Sequence, residues 1–411
     1  MKIRVMAAIA AVVTLACQQD RDRPEWNAPV PLPASMVRDS AGILIIENAR
    51  PAEGSRLGWR IGPEPTVSIG SVEGDEPYLL HSIRDAVRMP DGRILVANGG
   101  AHDVRAFTAT GTHLVSWGGK GEGPGEFSNL SWVAAWPGDS VATWDGSPGR
   151  LLFFDAGGNF GRSVSLPRSY PRPLAVRPDG TILTVRQRER ERLTIVEIRD
   201  GDGGLHDSVG TWLNSEWIPE MGVDGPEPLV PAFSMELMTA RWGELIVATW
   251  NKPYEIRALQ ADGTVARIVR REHTPVVPTE SDRPVFVAEQ MAYLNTFVNA
   301  AGDRMVDTYG EDYFRPLLES RPLAEHFPAF STVVADAAGH LWVREYDFPR
   351  EKRPAPLWTV FDPEGRVLGF VETPEGLDVL QIGEDYILGR VRDEFQVEHV
   401  QVWPLERSGS S

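Results

Sequence analysis

Residues 115–127, V-S-W-G-G-K-G-E-G-P-G-E-F, restrict the fold more than any other stretch of the chain. An apolar strand ends at Trp117, and a glycine run that only a sharply bent backbone needs leads to Phe127, where apolar residues resume. A weaker copy lies upstream: Val67-Ser68-Ile69-Gly70, then Glu73-Gly74, then Pro77-Tyr78. The two copies stand one propeller blade apart, roughly 40–50 residues.

Two further ladders run through the chain. In the first, apolar strands meet at a tight turn: residues 86–96 around Pro90-Asp91-Gly92, 133–142 around Gly138-Asp139, and 174–183 around Pro178-Asp179-Gly180. Weaker copies centre on Trp242-Gly243, Ala338-Gly339 and Glu384-Asp385, which makes six. The second ladder falls between these rungs and pairs an apolar residue with a following glycine: Phe107 with Gly111, Phe154 with Gly158, Leu259 with Gly263, and Phe361 with Gly365. Ile198 begins a longer version that ends at Gly203-Gly204. Glycine there supplies the positive φ that turns a third strand into a fourth. Short strands at even spacing without a helical period predict an all-β, six-bladed β-propeller over residues 36–405. Residues 66–69 are expected to complete the last blade beside residues 398–403, which removes both open sheet edges. Residues 42–47 form another apolar strand, and the likeness of 37–48 to 87–98 leaves a seventh blade open.

One region breaks the pattern. Residues 276–327, between blades 4 and 5, read as a helical insertion, with Ser281 as N-cap, Asp282 in the first turn, and Val287, Met291, Leu294 and Val298 on one face. A second helical turn is expected from Tyr313 to Ser320, and residues 406–411 as a disordered tail.

The only cysteine of the 411 residues is Cys17. Lys2 and Arg4 precede an apolar segment from Val5 to Leu15, too short to span a bilayer and shaped like a secretory signal. The sequence Thr14-Leu15-Ala16-Cys17 resembles the lipobox of bacterial lipoproteins, which implies cleavage after residue 16 and a lipid on Cys17. The alternative is an ordinary signal peptide with an incidental cysteine. Residues 17–35 are polar and carry Pro24, Pro29, Pro31 and Pro33, the composition of an extended tether. These features predict export, to the periplasm or cell surface. A net charge of −17 argues against a phosphate-tracking, nucleic-acid-binding surface.

The glycine-rich stretch also resembles NHL-type repeats and the bacterial six-bladed β-propeller lipoproteins that share G-x-G-E-G-P-G-E-F. The resemblance is sharp only around Gly118 to Phe127. It implies a fold and a setting rather than a reaction.

Aligning the first strands on their turns places Asp85, Trp132, Pro173, Glu236, Thr332 and Asp378 at one level near the channel mouth, with Arg84, Ser131, Arg172, Met235, Ser331 and Leu377 just before them. Asp85, Glu236 and Asp378 are the candidate ligands for a hard cation such as calcium. Arg84, Trp132 and Arg172 are further channel-mouth candidates. Asn98, Asp145, Asn251 and Glu345 recur where a second strand turns into a third, the pattern of turn capping. No Gly-x-Ser-x-Gly or His-Glu-x-x-His motif is present. The expected role is a monomeric binding or scaffolding module for a protein, small-molecule or glycan ligand. The rivals are a divalent-cation-dependent hydrolase or lactonase in the channel and, on the strength of 13 tryptophans, a glycan-binding protein.

If Cys17 carries the anchor, Cys17→Ser abolishes radiolabelled palmitate incorporation and moves the protein from the membrane to the soluble fraction, with an unchanged melting temperature. Membrane attachment that survives the substitution rules the anchor out.

Overall fold

The computed structural model describes residues 33–166, 172–188, 191–216, 218–222, 225–296, 305–351 and 353–407. The signal segment, Cys17, the tether up to residue 32, Val298 and residues 408–411 lie outside them.

Six antiparallel sheets form the blades. Blades 1 to 5 each contain four strands in sequence order, running from Ile83–Arg88 to His113–Gly118, Leu130–Trp136 to Phe160–Ser165, Arg172–Val176 to Leu205–Leu213, Leu237–Trp242 to Val265–Arg271, and Phe330–Ala335 to Val367–Glu372. Blade 6 supplies only three, Asp378–Ile382, Tyr386–Arg392 and Glu398–Glu406. Its fourth is Val67–Ile69, antiparallel to the third, with Val67 opposite Val402 and Ile69 opposite Val400. The first strands of successive blades touch in ring order, and that of blade 6 returns to that of blade 1. The fold is a closed six-bladed β-propeller.

The strand over residues 43–48 starts no seventh blade. Ile43–Asn48 pairs with Ser35–Ser40 as a hairpin and runs parallel to the last strand of blade 4, Leu44 opposite Arg267 and Asn48 opposite Arg271. It therefore widens blade 4 to six strands. Asn48 fixes it there: Nδ2 donates to the carbonyls of Arg270 at 2.9 Å and Gly365 at 3.0 Å, and Oδ1 accepts from the Val367 amide.

The glycine motif proves to be a cage. Gly118 has φ +110, and a Cβ there would lie 2.7 Å from the Phe127 ring, which is fully buried between blades. The loop folds back so that its carbonyls face Arg150 of blade 2, whose Nη1 donates to Glu122 O at 2.6 Å and Nη2 to Glu126 O at 2.8 Å. The upstream copy does the same for blade 1: Arg105 Nη1 donates to Glu76 O at 2.7 Å and Leu79 O at 3.2 Å. Each guanidinium also meets an acid, Asp145 at 3.2 Å and Asp103 at 3.0 Å. Buried charge is tolerated only when paired in this way. Asn98, Asp145, Asn251 and Glu345 are all buried, and the first three accept from backbone amides at the start of their own blade, as at Asn98 to His81 N and Asp145 to Asn129 N.

Helix α1 is Arg283–Thr296, α2 is Met305–Tyr309 and α3 is Glu311–Glu319. Ser281 does not cap α1; the Phe286 amide bonds to Asp282 O, so Asp282 occupies the capping position. The Asp282 carboxylate instead bonds the Thr279 amide at 2.7 Å and pairs with Arg350 at 2.9 Å. Val287 and Met291 are buried as expected, in a cluster with Phe286, Leu318, Phe233 and Phe327, with Leu294 packed against it. The insertion is thus clamped between the approach to blade 4 and the start of blade 5. At the C-terminal end, Glu406 belongs to the last strand, and Arg407 donates to Gly383 O and pairs with Asp336 at 2.9 Å.

Two predictions follow from ring closure. Deleting residues up to Gly70 exposes the Val400–Val402 edge and should give aggregation and a markedly lower melting temperature; a monomeric truncation melting like the parent would refute closure at this edge. The second concerns Asp85, which bridges blades by accepting from the Ala86 amide at 2.9 Å and the Val133 amide at 3.2 Å. Burial pushes its pKa from 3.8 up to about 7, against the two amides and Arg390. The folded protein therefore holds the proton more tightly than the unfolded chain, and stability falls as pH rises from about 4 to about 7. Asp85→Asn lacks that loss, so the melting temperature of the variant relative to the parent should climb across this range; a constant difference would contradict the assignment.

Candidate functional site

The expected ring of carboxylates does not form one site. Asp378 pairs with Arg390 at 2.6 Å, and Arg390 Nη1 donates to Ile83 O at 2.5 Å, so the charges of Arg390 and Asp378 both act on Asp85. Glu236 lies elsewhere. Desolvation raises its pKa, and its charge acts on Tyr346 together with Glu289, Asp347 and Asp282, the side of the insertion. Among the described residues no group of three His, Cys, Asp or Glu side chains is placed to hold a metal ion. The reason is topological: blades 1 and 6 are neighbours, whereas blade 4 is across the ring. Blade 4 also begins differently. In blade 1 an irregularity between Ile83 and Asp85 sets Asp85 opposite Ala97, next to Asn98, while in blade 4 Leu237 takes that place opposite Trp250, next to Asn251.

The other channel-mouth candidates are also separate. Arg84 is exposed and packs along Gly99, where a Cβ would meet its Cγ at 2.7 Å. Trp132 is opposite Trp144 and packs with Trp136 and Phe153 inside blade 2. Desolvation lowers the pKa of Arg172, with no acidic group offsetting it. Of the tryptophans expected to mark a glycan site, Trp144, Trp242, Trp342 and Trp358 are buried, and none of the exposed large apolar side chains among the described residues is a tryptophan.

The structure presents a different site, a cavity of about 350 Å³ at the boundary of blades 4 and 5. Its lining comes from three connections: Glu216 and Met235 from the one between blades 3 and 4, Lys252 and Pro253 from the turn between the second and third strands of blade 4, and the two ends of the insertion. Those ends give His273 and Pro275 on one side and His326, Phe327 and Ala329 on the other. Backbone bonds hold these linkers in place, from Ala329 N to Asn251 O at 2.7 Å and from Phe327 N to Val276 O at 2.8 Å. The wall is mostly apolar. Its polar groups are the Lys252 and Glu216 head groups, 3.8 Å apart, and the two imidazoles. Burial lowers the pKa of His273, and the nearby Arg271 cation lowers it further, so the ring is neutral at neutral pH. Arg271 is itself locked beneath the site by Glu345 at 2.8 and 3.0 Å and by Thr359 at 2.7 Å, with Tyr254 stacked 3.8 Å from its Cζ.

Sequence reasoning passed over Glu216, Lys252, His273 and His326. Met235 alone was marked, as a channel residue. The available signal was positional: all of them flank strand ends beside the one oversized insertion.

No protein-family model and no curated protein matches the sequence. Solved structures do match in shape. A presumed exported protein from Bacteroides fragilis has a TM-score of 0.51 at 13% identity, covering 88% of this chain and 99% of that one. A member of the duf4221 family from Bacteroides vulgatus has a TM-score of 0.48 at 9% identity, with 85% and 98% covered. Virginiamycin B lyase from Staphylococcus aureus has a TM-score of 0.39 at 11% identity, with 84% and 99% covered. At 13% identity the likeness to the presumed exported protein shows a shared fold and no activity.

Proposed function

We propose that this protein is an exported, lipid-anchored β-propeller that binds a small, largely apolar ligand in the cavity between blades 4 and 5. The observation that carries the reading is the cavity itself. Its volume of about 350 Å³ lies within the roughly 300–1,000 Å³ of ligand pockets, and a few polar groups are set in an otherwise apolar wall. Three features support export and anchoring: the short apolar N-terminal segment, the lipobox-like Thr14-Leu15-Ala16-Cys17, and a shape neighbour that is a presumed exported protein. The resemblance of residues 118–127 to NHL-type lipoproteins agrees with that setting. The propeller supplies a rigid frame, and the two ends of the insertion supply part of the cavity wall.

Anilinonaphthalene sulfonate, a small apolar fluorophore with one anionic group, should bind the purified protein at about one molecule per chain with a rise in fluorescence. Met235→Trp narrows the cavity and should weaken that binding about tenfold while leaving the melting temperature within a few degrees. Unchanged dye binding in the variant, or none in the parent, would contradict the proposed site.

A further inference from the structure

The hairpin that widens blade 4 ends in a strand with no neighbour on its outer side. Ser35–Ser40 is the last strand of that six-stranded sheet, and all six of its residues are exposed. Outer strands elsewhere are blunted. In blades 1, 2, 3 and 5 the fourth strand joins the third through a register shift, the kind of bulge that twists an edge away from foreign strands. Ser35–Ser40 instead pairs with Ile43–Asn48 residue for residue, with no shift and no proline inside it. Two of its side chains are large, apolar and open to solvent, Met36 at 68% and Val37 at 46% exposure.

The hairpin fixes which backbone groups this edge offers. Ala49 N donates to Ala34 O at 2.9 Å, and Ser40 opposite Ile43 closes the two-residue turn of Ala41 and Gly42. Antiparallel ladders alternate, so residues 34, 36, 38 and 40 bond inward, and Ser35, Val37 and Asp39 direct their amides and carbonyls outward. An identical strand related by a two-fold axis can engage these three in registers centred on Met36, Val37 or Arg38. Centring on Arg38 sets two guanidinium groups directly opposite each other, which is destabilising. Centring on Met36 brings Pro33, which has no amide to donate, opposite Asp39. Centring on Val37 avoids both. Val37 then faces Val37, Ser35 faces Asp39, and Met36 lies beside the aliphatic stem of Arg38. Arg38 and Asp39 cancel within the strand, so two chains of net charge −17 meet through a neutral segment.

We propose that two copies of this chain pair through Ser35–Ser40, antiparallel and with Val37 opposite Val37, joining their blade 4 sheets into one. The pairing takes the place of the monomer expected from the sequence and is independent of the cavity. A two-fold contact of this kind removes the open edge from both copies at once. A six-residue edge is small for a specific interface, so the dimer is a weak one that dissociates in the micromolar range.

The experiment uses the Cys17→Ser protein, in which an introduced cysteine is the only thiol. Sedimentation equilibrium should show a reversible dimer. Val37→Lys sets two like charges opposite each other and should weaken that dimer about tenfold or more, with an unchanged melting temperature. Disulfide trapping reads the register. Opposed Val37 residues have Cα atoms about 5.5 Å apart, within disulfide reach, whereas Arg38 stands roughly 7–8 Å from its diagonal twin. Mild oxidation with copper phenanthroline should therefore link Val37→Cys into a covalent dimer and leave Arg38→Cys monomeric. A parent that sediments as a monomer at about 100 µM, a dimer indifferent to Val37→Lys, or equal trapping at the two positions would overturn the proposal.

Discussion

Closure of the ring is the constraint from which the rest of this structure follows. Six four-stranded sheets in sequence would end in two open edges, and open edges pair with other chains. Here Val67–Ile69 supplies the strand that blade 6 lacks. The join is tight: a Cβ on Gly70, at φ +138, would lie 2.5 Å from Glu398 O, so the chain must carry glycine where it leaves the last blade for the first. Side chains reinforce the same seam. Glu398 Oε2 accepts from the Ile83 amide at 2.7 Å, and Gln381 Oε1 accepts from the Arg88 amide at 2.7 Å, so blade 6 is hydrogen-bonded to blade 1 at two levels. Once the ring is shut, the inner strands have fixed neighbours, and the site geometry is no longer adjustable.

The polar interior repeats as regularly as the glycine ladders. An acid or amide closes the second strand of four blades, and arginines on neighbouring strands answer it, as Arg150 answers Asp145 and Arg271 answers Glu345. The last two pairs are almost entirely withdrawn from water, and each guanidinium has further acceptors, which is what allows a buried charge to persist. The G-x-G-E-G-P-G-E-F run belongs to this system. Its carbonyls are the remaining ligands of Arg150, and its glycines let the backbone approach closely enough to serve. The motif is the sharpest sequence signal in the chain, yet it serves assembly.

Much of this was legible in the residues themselves. Positive φ at Gly111, Gly158, Gly263 and Gly365 matches the second ladder, and the clasp strand fell within one residue of its expected place. The register within first strands was not legible. A one-residue irregularity between Ile83 and Asp85 has no counterpart at Leu237, and glycine turns at the far end of the strand cannot report it. That slip placed Glu236 level with Asp85. The role of the strand over residues 43–48 stayed open for another reason: its partner in blade 4 lies more than two hundred residues away and pairs in parallel, with no local turn to announce it. The cavity residues were invisible because they are spread over three connections far apart in sequence, and only the folded ring brings these together.

The position of the cavity is a consequence of where repetition stops. The boundary of blades 3 and 4 carries a two-stranded hairpin, Ile218–Gly222 with Gly225–Leu229, and the boundary of blades 4 and 5 carries three helices and the chain needed to anchor them. A cavity needs walls that do not interdigitate, and an insertion clamped at both ends supplies them without loosening the sheets. Electrostatics then come from the core below. Arg271 is fixed by Glu345 and Thr359, which belong to blade 5, and its charge adds to burial, with Arg50, in lowering the pKa of His273. Burial remains the larger cause, and the two partners of the buried Arg271–Glu345 contact act on the His273 ring in opposite directions.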